Sequence, residues 1–195
     1  MITTTNGSKA TALPFCGRPS HAVARIARRI FDELSAMHGL GENDAELLSR
    51  AVAGLRFVKS ARGDSSAEHI LFRAALADLG NADAWTVEAA ACFAADQLAP
   101  PDLAANTEVV RRSEFRAFWL AAVLRLADAL CGSRDAGAPH DAYAAWTEDT
   151  LYLEFDSDDL DAAAVERARG RVAALELLAC RRVVLARSCA RRGVA

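Results

Sequence analysis

The residues able to do chemistry in this chain are dominated by one functional group, the guanidinium. Of its 23 basic residues 21 are Arg, and only Lys9 and Lys59 are Lys. Codon usage in a GC-rich genome accounts for most of that excess, in a background where Ala is the commonest residue. Arg25, Arg28, Arg29, Arg56, Lys59, Arg62 and Arg73 could nevertheless line a groove for polyphosphate or a nucleotide, because guanidinium groups hold phosphate oxygens in a bidentate fork. The competing and preferred expectation is a solvated face on amphipathic helices. Arg125 is more pointed, since it lies on an apolar stretch three residues before Asp128 and needs a partner if buried. An ion pair with Asp128, or with an acid on the second helix, is its expected role. His38 and His140 lie beside loops and are expected to be exposed.

Other reactive constellations are missing from the sequence. The serines, Ser188 included, lack a G-x-S-x-G setting, and neither a G-x-x-x-x-G-K-[ST] nor a G-x-G-x-x-G loop occurs. Cys16, Cys92, Cys131, Cys180 and Cys189 contain no C-x-x-C, so neither a zinc ribbon nor a disulfide framework is signalled. Most of them sit among apolar neighbours and read as small core residues in a reducing cytoplasm. Trp85, Trp119 and Trp146 are not interleaved with a basic stripe, so they read as core or interface anchors.

With 195 residues, 52% of them hydrophobic and 25% charged, the chain can bury a sizeable core and is neither disordered nor fibrous. A net charge of -3 excludes wholesale coating of nucleic acid. No apolar run of about 18 residues exists to cross a membrane, and the N-terminus has no hydrophobic leader core. Residues 1–19, polar and broken by Pro14 and Pro19, read as a disordered or loosely docked arm.

The elements that must position these side chains are mostly helical. Ser20 can cap a helix on which Val23, Ile26, Ala27, Ile30, Phe31 and Leu34 recur at spacings of three and four, ending at Gly39 and Gly41. Further helices are expected over about 45–57, 67–78, 84–98 and 113–130, the last two central, with a short connecting helix at 102–106. After a loop at 132–142, residues 146–155 alternate in period two and read as one strand. A helix over 159–179 and a second strand at 181–186 complete a β-α-β unit. The expected organisation is therefore an arm at 1–19, a helical domain at 20–131 and a small β-α-β unit at 132–195 packed on it. The nine acids between Asp135 and Asp161, followed by eight Arg after Val165, solvate two faces or pair with each other.

Taken in order, HAVARIARRIFDEL, ELLSRAVAGLRFV, EHILFRAALADLG, LAAVLRLADALCGS and LYLEFDSDDLDAAAVERARGRVAALELLACRRVVL resemble the C-terminal helical domain of the exopolyphosphatase/guanosine-pentaphosphate phosphatase (Ppx/GppA) family, which is related to HD-domain phosphohydrolases. The resemblance spans about residues 20–187 and lacks the actin-like half that carries the phosphatase chemistry. It implies a mostly α fold, an HD-like helical bundle followed by the β-α-β unit. An active HD site holds divalent metal between His and Asp side chains from separate helices and ionises a bound water. By resemblance His21 stands at the first helical His, His69 at a later one and Asp128 at the closing Asp. The central His-Asp pair of the family's LLHDIG is replaced by Leu55 and Arg56, which puts a fixed positive charge where a metal belongs. Ala95 and Asp96 stand where relatives often carry Tyr-His.

His21, Arg56, His69, Arg125 and Asp128 are thus the expected remnant of an HD pocket, with no catalytic residue, metal or cofactor assigned. Arg25, Arg28, Lys59 and Arg73 are the candidate phosphate contacts. The implied function is a degenerate regulatory, assembly or phosphate-ligand-binding module, as a homodimer or bound to a partner phosphatase chain. The rival is a phosphohydrolase acting on a nucleotide or polyphosphate through a rebuilt metal site. A cytoplasmic protein with no specific nucleic-acid partner is expected in either case.

Overall fold

The computed structural model describes residues 21–60, 66–96, 107–131, 141–156 and 162–188. The arm expected at 1–19, the connecting helix expected at 102–106, and Arg62, His140, Cys16 and Cys189 lie outside them. The described residues form helices α1 (His21–Glu33), α2 (Ser35–His38), α3 (Glu42–Ser60), α4 (Ser66–Ala75), α5 (Asn81–Ala94), α6 (Thr107–Cys131), α7 (Ala162–Arg169) and α8 (Ala173–Ala179). Strands β1 (Asp141–Trp146), β2 (Thr150–Asp156) and β3 (Arg182–Ser188) complete the fold. The protein is mostly helical, with a small sheet at its C-terminal end.

Helix α1 buries the stripe anticipated from its spacing, Ala22, Val23, Ile26, Ala27, Ile30 and Phe31. The chain kinks at Leu34, forms the single turn of α2, and stops at Gly39, whose left-handed φ of 62° is the conformation glycine adopts without strain. Helix α3 then starts at Gly41, whose N–H donates to Asp44 Oδ2 at 3.0 Å, the acid-to-cap half of a capping box. Later in α3, Gly54 lets α4 come close. A Cβ there would stand 2.2 Å from the ring of buried Phe72, which stacks on Phe57.

The centre of the molecule is α6, which packs against α1, α3, α5, α7 and α8. Its buried residues include Trp119, Leu120, Leu124, Leu126 and Leu130. Arg116 sits on the same inward side. Its Nε donates to Asp44 at 2.5 Å and its Nη1 to Asp83 at 2.7 Å, tying the first turns of α3 and α5 to α6. Asp44 and Asp83 also place negative charge at two positively polarised helix N-termini.

A buried polar residue beside this hub is His38, only 4% exposed rather than at the surface as its place beside a loop suggested. Its Nε2–H donates to the Phe31 carbonyl at 2.8 Å, and its Nδ1 accepts the Leu40 N–H at 2.9 Å, a network that assigns the neutral tautomer. The ring lies 4.4 Å from Phe31 and edge-on to Trp119 at 5.5 Å. Burial holds its pKa below the ordinary histidine value.

At the C-terminal end the strand expected at 146–155 is β2 with the turn before it, and β1 precedes it at Asp141–Trp146, where a loop was expected to reach residue 142. β1 pairs antiparallel with β2, with Trp146 opposite Leu151, and the polar residues Thr147, Glu148 and Asp149 turn the chain. Thr147 N–H donates to the Thr150 carbonyl at 2.8 Å, closing the turn. β2 and β3 run parallel, so the crossover between them is the α of the expected β-α-β unit. That crossover is two helices, α7 and α8, because the continuous helix expected over 159–179 breaks at Gly170. Leu151, Leu153, Phe155, Val183 and Leu185 face inward and join one continuous core with the bundle. Two acids finish the sheet, with Glu33 Oε2 accepting the β1 Ala144 N–H and Glu176 Oε1 the β3 Val183 N–H, each at 2.9 Å. Among the described residues no helix is long and apolar enough to cross a membrane.

Candidate functional site

The sequence-marked residues separate into ion pairs instead of converging. Asp128, on α6, receives the Lys59 ammonium from α3 at 2.6 Å, both side chains part-exposed. One oxygen of that carboxylate, Oδ2, is thus already engaged by a cation. Arg56 lies one turn before Lys59 and is exposed, as is His21 at the first position of α1. His69 is on α4, with its side chain outside the described residues. Among the described residues no three His, Cys, Asp or Glu side chains gather to hold a metal ion.

Arg125 does not pair with Asp128 or with an acid on α3. Its guanidinium goes to Asp96, just past α5, and Asp96 also takes Arg171 from the α7–α8 connection. The reason is positional, since Lys59 already occupies Asp128 while Arg125 faces the α5 end. The candidate phosphate contacts are largely committed too. Arg28 bridges Asp32 at 2.8 Å and Glu42 at 2.8 Å, and its hydrogen bonds hold the Glu42 carboxyl below the ordinary range. Arg29 meets Asp141 at 3.0 Å, and Arg73 meets buried Glu88 at 3.3 Å. Arg25 is exposed on α1. Cys92 and Cys131 are buried, as expected of most of the cysteines, whereas Cys180 is exposed in a left-handed turn. Burial pushes the Cys92 thiol up to about 11, away from nucleophilic use.

A concave feature of the surface lies elsewhere, between the end of α5, the middle of α6 and α8. It has a volume of about 360 Å³ and a lining of Phe93, Phe118, Ala121, Ala122, Ala174, Leu177 and Leu178, with Asp96 and Arg125 at its polar end. Phe93 and Phe118 stack with centroids 4.9 Å apart. Phe118 is 45% and Leu177 79% exposed, a high value for large apolar side chains. Arg125 Nε is buried and has no hydrogen-bond partner among the described residues. Burial and the neighbouring Arg171 both disfavour the charged form of Arg125. Sequence reasoning missed this groove because its walls come from three segments far apart in the chain. The legible part was Leu177, which follows inward Leu175 by two residues and so cannot share its helix face.

A scan against protein-family models and a search of curated proteins found no match to the chain.

Proposed function

We propose that this chain is a catalytically degenerate HD-like module, similar to the C-terminal half of the exopolyphosphatase/guanosine-pentaphosphate phosphatase family, that works in regulation, assembly or phosphate-ligand binding and not in hydrolysis. The observation that carries this reading is the Lys59 ammonium held 2.6 Å from Asp128. A divalent ion at Asp128 would have to displace that ammonium, and Leu55 and Arg56 stand where the resemblance places the central His-Asp pair. The ion pairs made by Arg28, Arg29 and Arg73 take up charge that phosphate would otherwise meet, so they weigh toward assembly, as a homodimer or on a partner phosphatase chain. The buried, unbridged thiol of Cys92 supports a reducing, cytoplasmic compartment.

The test is calorimetric titration with Mn²⁺, paired with turnover of inorganic polyphosphate, for the natural chain and for Lys59→Ala and Asp128→Ala. Neither tight metal binding nor turnover is expected of the natural chain. One metal bound per chain, lost in Asp128→Ala and accompanied by turnover, overturns the proposal.

A further inference from the structure

We propose that the groove between α5, α6 and α8 is a binding site for a small amphipathic monoanion, a single carboxylate or phosphate diester on an apolar body. This inference is independent of whether the chain hydrolyses anything, because none of the groove's walls belongs to the Lys59–Asp128 pair.

Three observations select that ligand. The first is size and lining. A volume of about 360 Å³ is at the small end of the range for ligand sites, roughly 300–1,000 Å³, and suits one small molecule. Apolar walls with polar groups gathered at one end are the usual build of such sites. The second is the aromatic pair. Phe93 and Phe118 are stacked on each other, yet Phe118 and Leu177 remain exposed, leaving apolar surface that an occupant of the groove would remove from water.

The third is charge. At the polar end two guanidinium groups, Arg125 and Arg171, share the single carboxylate of Asp96, which leaves one positive charge in surplus. Arg125 lines the groove itself, so part of that surplus charge stands at its polar end. A neutral hydrocarbon would fill the walls and leave the surplus charge as it is. A dianion would exceed the available charge. The head is therefore a monoanion, and bidentate pairing with guanidinium suits a carboxylate or a phosphate diester.

The full chain is titrated with decanoate, decyl methyl phosphate and decan-1-ol by calorimetry and by amide chemical shifts. Decanoate and decyl methyl phosphate, both monoanions, are expected to saturate one site and to move the signals of Phe93, Phe118 and Leu177, with decan-1-ol at least about tenfold weaker. Arg125→Gln should weaken both anions about tenfold and leave decan-1-ol unchanged. Leu177→Glu, at a position exposed enough to leave folding intact, should weaken both anions by about tenfold or more through lost apolar contact and like charge. Decan-1-ol binding as tightly as decanoate, or anion affinity unmoved by Leu177→Glu, overturns the proposal. So does a dimer in sedimentation that Leu177→Glu dissociates, since a second copy would then be the occupant. Binding to anionic vesicles without binding to free decanoate overturns it as well.

Discussion

Replacing Arg116 by Met keeps the length and apolar stem of the side chain and removes only its charge and its two donors. In the intact chain the Arg116 and Asp44 side chains are 14% and 13% exposed, and Asp83 is 44% exposed. Taking one partner from a buried ion pair costs about 3–5 kcal/mol, because the other charge stays desolvated. Asp44 retains the Gly41 N–H, and Asp83 can turn to water, so the expected loss is about 3 kcal/mol, at the lower end of that range. For a chain of this size that corresponds to a fall in melting temperature of roughly 6–12 °C. Urea unfolding followed by circular dichroism gives the free energy. Asp83→Asn, at the exposed partner, should cost about 1 kcal/mol or less. The combination of Arg116→Met with Asp44→Asn should fall short of the sum of the single losses by at least about 1 kcal/mol, as expected for groups in direct contact. A loss below about 1 kcal/mol for Arg116→Met, or full additivity with Asp44→Asn, would refute the clamp.

Three other perturbations probe separate features. Gly54→Ala gains about 1 kcal/mol of helix propensity but drives a methyl group into the Phe72 ring, at a cost of about 1–3 kcal/mol. The net should be destabilising in urea and relieved by Phe72→Leu, and a more stable Gly54→Ala chain would show the α3–α4 approach to be looser than it is here. Gly39→Ala meets open space, so its cost should be the left-handed backbone alone, about 1–2 kcal/mol, with Gly39→Asn costing less. For His38 the folded-state pKa lies below the unfolded value of about 6.5, so the unfolded chain binds more protons in that window. Stability should be fully present above about pH 6.5 and fall as pH drops through the folded pKa. Protonation would also turn Nδ1 from an acceptor into a donor facing the Leu40 N–H. An imidazole titration by NMR that places His38 at or above the ordinary value contradicts this account.

What could be seen in the sequence follows the range of the interactions concerned. The stripe on α1, the apolar runs of α5 and α6 and the parallel β2–β3 unit are written in local periodicity, and all were anticipated. The β1–β2 hairpin was missed because the loop was carried to residue 142 and the alternation was begun only at Trp146, then run through Thr147, Glu148 and Asp149, three polar residues that mark a turn. Arg116 carried a readable signal, lying three residues after buried Ser113 and four before buried Leu120, but an Arg is not expected on an inward face. His38 was placed outside because it lies beside a loop, and its burial depends on Trp119, eighty-one residues later in the chain. The pairing of Arg125 with Asp96 instead of Asp128 was not legible at all. It turns on Lys59 reaching Asp128 first, a choice that only the packing of α3 on α6 decides.

Because α6 is at once the inner wall of the helical bundle and the support on which α7 and α8 rest, the C-terminal unit has no floor of its own. The two regions share one interior, and neither can open fully while the other stays closed. Amide exchange should therefore find the slowest protons along the middle of α6, opening only with the whole molecule and at the same rate as the inward residues of β2. Cutting the gene between residues 131 and 141 should yield two pieces that recover structure only when mixed.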